Sequence, residues 1–268
     1  MLLLCIALAV GGTAAKMSSH QLRMPYVMPQ AEAYTCTSIP VNKEVFLTGF
    51  EPLNEQHNAH HILVFGCAEP GTEDVIWNCG EMSGGQDADM LRNAPPCASK
   101  PTILYAWAHD APKLVLPEGV AFSAGGDNAN VQHIVMQVHY MEDGKKPDNS
   151  GVNLTYSDEP LPKRASTMLL VTGGVLPAQS EESFETACTI DEDVKIHPFA
   201  FRTHTHTHGL DVSGWVVREK GSNNDQWSLI GRRDPQLPQM FVPVNDTSMV
   251  ISKGDVVTAR CLMRNEED

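Results

Sequence analysis

Residues 197–209 read HPFAFRTHTHTHG, and this stretch restricts the chain more tightly than any other. Side chains on an extended strand alternate between faces, so residues two apart share one. Phe199, Phe201, Thr203, Thr205 and Thr207 then line one face, and Arg202, His204, His206 and His208 the other. Same-face neighbours roughly 6.5–7 Å apart can lean inward until two imidazoles reach one ion at about 2.0–2.1 Å each. A guanidinium one step along the same face can hold an anion beside that ion. The stretch therefore predicts a strand with a metal site and a carboxylate anchor on one side. Alternating Thr and His would also suit a solvated edge strand. Three His within five residues, next to aromatic positions that need burial, favour the metal.

The chain of 268 residues allows one or two domains with a substantial core. Its 42% hydrophobic content and 18 prolines fit a loop-rich, all-β protein. A formal charge of −14 argues against a nucleic-acid partner, because no basic stripe is available to neutralise phosphates. The apolar run Leu2–Val10 closes in Thr13-Ala14-Ala15, so residues 1–15 are expected to be a signal peptide, although the usual basic start is missing. An unprocessed N-terminal anchor is the alternative. No run approaches the ~20 apolar residues of a membrane span, and the protein is expected to be a secreted or lumenal monomer. Beyond Cys5, six cysteines remain, an even set suited to an oxidising compartment. Asn153-Leu154-Thr155 and Asn245-Asp246-Thr247 are glycosylation sequons compatible with secretion.

Strands are expected at Val45–Phe50, Ile62–Phe65, Thr102–Ala108 and Val131–Tyr140. In the last, Ile134, Met136, Val138 and Tyr140 share one face, and His133, Val135, Gln137 and His139 the other. His60 and His61 are adjacent, so both can reach one metal only where the chain enters its strand irregularly. Residues 74–100 read as a loop. The polar segment 144–150 is the expected linker between an N-terminal domain (21–143) and a C-terminal domain (151–268). Later strands are expected at Val152–Tyr156, Thr167–Thr172, Phe199–His206, Trp215–Arg218, Trp227–Ile230 and Val256–Met263, a spacing that suits a β-sandwich.

His60-His61-x-x-x-Phe65-x-Cys67 and His197-x-Phe199-x4-His204-Thr205-His206-x2-Gly209 resemble the two signatures of the copper type II, ascorbate-dependent monooxygenases. Ile62 stands where that family usually has Met. The segments Leu22–Pro25, Ile103–Ala108, Gln137–Tyr140 and Gly231–Gln239 resemble the peptidylglycine-hydroxylating branch. The resemblance implies two jelly-roll-like β-sandwiches, each with one copper. His60, His61 and His139 match the ligands of an electron-transfer copper. His204 and His206 match two ligands of a catalytic copper, and Arg202 the residue that grips a peptide's C-terminal carboxylate. Gln137 and His197 match supporting positions. Copper, ascorbate, O2 and a glycine-extended peptide are the implied cofactors and substrates, with a hydroxyglycine as product. Imidazole ligands must be neutral, so copper binding should weaken as pH falls toward about 6.5.

The resemblance also implies disulfides Cys36–Cys79 and Cys67–Cys97. Cys188 and Cys261 match residues whose partners have no counterpart here, so they are expected to be unpaired unless they join each other. The family's thioether ligand has no counterpart either, and the second domain is expected to lack terminal strands. Met249 and Met263 are expected to serve packing, and His208 is the candidate third ligand. No segment resembles the lyase that completes amide formation. His20, His57, His109 and His133 are expected at the surface or in supporting positions. The competing readings are a catecholamine-type hydroxylase of the same family, a copper-binding chain without turnover, and a zinc-stabilised module.

Overall fold

The computed structural model describes residues 16–54, 59–80, 91–108, 111–127, 129–219, 224–238 and 240–267. They contain strands and no helix. The first part carries β1 (Met17–Arg23), β2 (Ala33–Pro40), β3 (Val45–Leu53), β4 (His61–Cys67), β5 (Trp77–Asn78) and β6 (Thr102–Ala108). It continues with β7 (Leu114–Val115), β8 (Val120–Ala124), β9 (His133–Tyr140), β10 (Gly151–Ser157) and β11 (Lys163–Arg164). Beyond these lie β12 (Ser180–Thr189), β13 (Lys195–Ile196), β14 (Ala200–Phe201) and β15 (Gly209–Arg218). The last are β16 (Gln226–Arg233), β17 (Val242–Pro243), β18 (Ile251–Ser252) and β19 (Val256–Asn265).

One sheet runs β1-β10-β3-β8-β11, with β7 also on β3, and a second runs β5-β2-β9-β4-β6. They close over a core that includes Leu47, Phe50 and Leu154 from the first sheet and Ile62, Val64, Met136, Val138 and Tyr140 from the second. The other face of the second sheet is buried too. Leu63, Phe65 and Val135 pack there with Trp77 and the four cysteines of two disulfides. Both faces of β4 are therefore covered, which is why Ile62–Phe65 is continuously apolar rather than alternating. The expected pairings Cys36–Cys79 and Cys67–Cys97 are formed, and they tie the loop that contains β5 onto this face.

The polar segment 144–150 follows β9 and bridges back to Val27 through Asp148. It leads into β10, which lies between β1 and β3, and β11 adds to β8 in parallel. Sheet pairing thus carries the first sandwich through Arg164. In the second half, β12-β19-β15-β16 form a four-stranded sheet, and β13-β18 and β14-β17 are two small pairs. Its core is Ile190, Val216, Met249, Ile251 and Val257, so Met249 packs as expected. Thr167–Thr172 is not a strand: it joins no ladder among the described residues, and it meets β6 through the Thr167 hydroxyl, which donates to the Ile103 carbonyl at 2.6 Å. Phe199 and Met240 pack on the core of the first sandwich and Phe241 on its disulfide-covered face, so the two halves touch. No helix among the described residues is long and apolar enough to cross a membrane. Residues 1–15, His57 and His109 lie outside the described residues.

Candidate copper centres

β4 begins at His61, and antiparallel pairing sets His61 directly opposite His139 on β9, which in turn lies opposite Tyr34 on β2. Three neighbouring strands thus place Tyr34, His139 and His61 in one row on the disulfide-covered face. His60 sits on a bend just before β4, and its N–H donates to the His139 carbonyl at 2.9 Å. That bend is the irregular start the adjacent pair requires. The ligand atoms of His60, His61 and His139 all lie within 4.8 Å of one another. Their ring centroids are 5.4 Å (His60–His61), 5.6 Å (His60–His139) and 4.5 Å (His61–His139) apart.

Burial, then repulsion from His139, His60, Arg202 and His204, holds His61 down at about 3. His61 is therefore a neutral lone-pair donor at physiological pH, the form a metal needs. The three-imidazole set fits a copper ion, since imidazole serves both of copper's oxidation states. Tyr34 stacks on His139 at 4.1 Å with a 13° interplanar angle. The Glu32 carboxylate lies 3.3 Å from His139 Nε2. Neither residue was singled out by the sequence, because each meets His139 only through strand register.

The second group differs from its expectation. Before β15 begins at Gly209, strand geometry in the HPFAFRTHTHTHG stretch covers only Ala200–Phe201, paired with Val242–Pro243. Residues 202–206 are irregular and 207–208 form a turn before β15. Pro243 has no N–H to extend the ladder. Locally, however, alternation persists: Thr203 is buried while His204 and His206 are exposed. Their rings lie 5.5 Å apart at 74°, close enough to share an ion. His208 is not drawn into a third position; its Nδ1 lies 3.2 Å from the Arg264 carbonyl. Among the described residues, the group of three metal-competent side chains is the one around His61.

Arg202 precedes His204 and is partly buried; burial pulls it down to about 10, so it stays cationic at neutral pH. Gln236 was read only as part of a motif. Its side-chain amide donates to the carbonyls of His206 at 2.9 Å and Gly209 at 3.0 Å, clamping the turn behind the His pair. Asp234 in turn accepts the Gln236 N–H at 2.8 Å.

Gln137 is buried on the same face as His139, and its amide donates to the Gly80 carbonyl at 2.8 Å and to Cys79 Sγ at 3.3 Å. It braces the disulfide loop beneath the first group. His197 is exposed after β13, outside the three-imidazole group. His133 Nδ1 lies 3.3 Å from the Ala68 carbonyl, and His20 is exposed on β1. Cys188 and Cys261 are free. Cys188 faces Val257 and Cys261 faces Phe184, a separation of roughly 13 Å along the ladder.

The family model for the N-terminal domain of copper type II ascorbate-dependent monooxygenases matches residues 17–147, and that for the C-terminal domain matches 163–268. Peptidyl-glycine alpha-amidating monooxygenase A of Xenopus laevis is 38% identical over 250 residues, 90% of this chain and 24% of its own length. Peptidylglycine alpha-amidating monooxygenase of Rattus norvegicus is 37% identical over 254 residues, 91% of this chain and 24% of its own. Dopamine beta-hydroxylase of Homo sapiens is 27% identical over 241 residues, 81% and 36%. The chain spans about a quarter of the length of the amidating relatives. With both family domains matched in order and the imidazole groups lying within them, the chain belongs to the copper type II ascorbate-dependent monooxygenases, oxidoreductases that use copper and ascorbate.

Proposed function

We propose that the chain hydroxylates the α-carbon of the C-terminal glycine in glycine-extended peptides, consuming O2 and ascorbate, as the first step of peptide α-amidation. The reading is supported above all by a three-imidazole group and a separate two-imidazole pair that follows a buried guanidinium. Higher identity to amidating relatives than to the dopamine hydroxylase supports the peptide substrate. In this reading His60, His61 and His139 hold one copper, and His204 and His206 the other. Bound copper would supply oxygen activation at one centre and electron delivery at the other. The protein's part is positional. Arg202 carries a desolvated positive charge two residues before His204 and within electrostatic reach of His61, and such a charge binds a carboxylate far more strongly than an exposed one would. A peptide held there by its terminal carboxylate presents its last α-carbon next to His204 and His206. Gln137 supports the first group from below, and His197 takes a supporting place near the second.

The remaining assignments share this footing: a secretory-pathway location, for which the two disulfides speak, a monomer, and two copper domains, 21–143 and 151–268, joined by the segment 144–150. Oxygen uptake with copper, ascorbate and a glycine-extended peptide tests the activity, with a phenethylamine as competitor. Uptake driven by the peptide and unaffected by the amine is expected. Uptake driven by the amine alone overturns the peptide reading. A second reading, copper binding without turnover, is favoured by the second group offering only two imidazoles among the described residues. It predicts two bound coppers per chain with no peptide-dependent uptake.

A further inference from the structure

His139 is fixed by two neighbours that do different work. Stacking on Tyr34 sets the plane of its ring, but a ring can turn over within that plane and exchange Nδ1 for a carbon. The Glu32 carboxylate, 3.3 Å from Nε2, distinguishes the two orientations. A carboxylate only accepts hydrogen bonds, so Nε2 must carry the hydrogen and donate. The lone pair is then left on Nδ1.

Glu32 reaches that position through an uncommon backbone. Its φ is +58°, the left-handed region that favours glycine. It sits in a turn closed by the Ala33 N–H donating to the Gln30 carbonyl at 3.1 Å. The turn is pinned by the Ala31 N–H donating to Asp143 Oδ1 at 2.9 Å, and Asp143 follows the strand that carries His139. A long charged side chain in left-handed backbone costs on the order of 1 kcal/mol or more, and glycine would avoid it. Sites that keep such a conformation keep it for the side chain it directs.

We propose that Glu32 is a positioning residue of the first copper centre: it holds His139 in the Nε2–H tautomer and turns Nδ1 toward the ion. Carboxylates that accept from the far nitrogen of a ligand imidazole raise its basicity and lock its orientation, and losing one weakens metal binding about 10–100-fold. Glu32 is 72% exposed, so solvent screens its charge and the lower end of that range applies. This role rests on His60, His61 and His139 being copper ligands, and the test separates the two.

The experiment uses the full chain with His204→Ala/His206→Ala, which leaves the first group as the copper site, and measures copper affinity by chelator competition. Absence of copper binding in this parent overturns the ligand assignment itself. With the parent loaded, Glu32→Ala and Glu32→Gly are expected to weaken binding about tenfold. Glu32→Gln, whose amide oxygen still accepts, should restore most of it. Glu32→Gly should at the same time melt higher than the parent, because it relieves the left-handed backbone. Nitrogen-15 spectra of the metal-free protein should show His139 protonated on Nε2 in the parent and losing that preference in Glu32→Ala. Parent-like affinity in both Glu32→Ala and Glu32→Gly overturns the role. So does a copper–oxygen contact that X-ray absorption detects in the parent and loses in Glu32→Gln, since Glu32 would then be a ligand itself.

Discussion

At the scale of single residues, His61 carries the clearest consequence. Its folded-state value of about 3 lies below the ordinary 6.5, so between these limits the unfolded chain binds a proton that the folded chain refuses. Stability of the metal-free protein is then fully present above pH 6.5 and falls as pH drops toward 3, by up to about 1.4 kcal/mol per unit from this group. Denaturant midpoints between pH 7 and 4 check this, and His61→Asn should flatten the slope. The expectation that proton competition for copper begins near 6.5 is shifted at this ligand, because burial and neighbouring imidazoles already exclude the proton. Arg202 permits a second prediction. Lysine keeps the charge but not the two-pronged donor geometry. Arg202→Lys should raise KM for a glycine-extended peptide at least about tenfold, an effect of roughly 1.4 kcal/mol, with kcat less affected; steady-state oxygen uptake measures both. Residue type and spacing singled out Arg202, His204 and His206; His60, His61 and His139 were marked as ligands only by the family resemblance. Tyr34 and Glu32 could not, since nothing in residues 32–34 announces that strand pairing will set them against a histidine more than a hundred positions away.

Among elements, β9 and the HPFAFRTHTHTHG stretch teach opposite lessons. Period-two alternation in β9 assigned its faces correctly, with Ile134, Met136, Val138 and Tyr140 in the central core and Val135 and Gln137 opposite. The same alternation persists over 203–206, where no strand produces it, and fails at Thr207 and His208. A ladder needs a partner, and β17 offers two residues, one of them proline. What shapes the stretch instead is contact from outside it. A Cβ on Gly209 would overlap the Thr205 side chain, and Gln236 holds two of the turn's carbonyls. Those contacts are long-range and invisible to a pattern read along the chain. Gln236→Ala removes two hydrogen bonds worth about 1 kcal/mol each. It should loosen copper at the His204–His206 pair about tenfold or more while leaving the His60–His61–His139 group unchanged, as a two-site copper titration would resolve.

Across the whole molecule, stability is distributed unevenly. The first sandwich owns two large buried clusters and both disulfides, whereas among the described residues the buried cluster of the second half has five members. Leu169, Val171 and Val175 are exposed along the irregular segment that precedes β12. The pairing Cys36–Cys79 closes a separation of 43 residues, worth about 4 kcal/mol in the chain-entropy account. Cys36→Ala/Cys79→Ala should therefore lower the first unfolding transition by roughly 10 °C in calorimetry and, by freeing the Gly80 side of the loop from Gln137, disturb the first copper group. The all-β class was readable from composition and strand spacing. Polar, glycine- and proline-bearing segments such as 144–150 mark turns within a sheet as readily as boundaries between domains, and the pairing of the following β10 with β1 and β3 could not be read along the chain.

Among the described residues, the four-stranded sheet also leaves β12 with a partner on one side only, β19. Its free backbone row is a template on which another copy could add a strand and start an aggregate. Glu181, Glu182 and Glu185 line this border, and Arg264 and Arg260 on β19 neutralise only two of them. Repulsion between such acidic borders opposes edge-to-edge pairing, so concentrated salt or mild acid should promote sticking that dilution reverses.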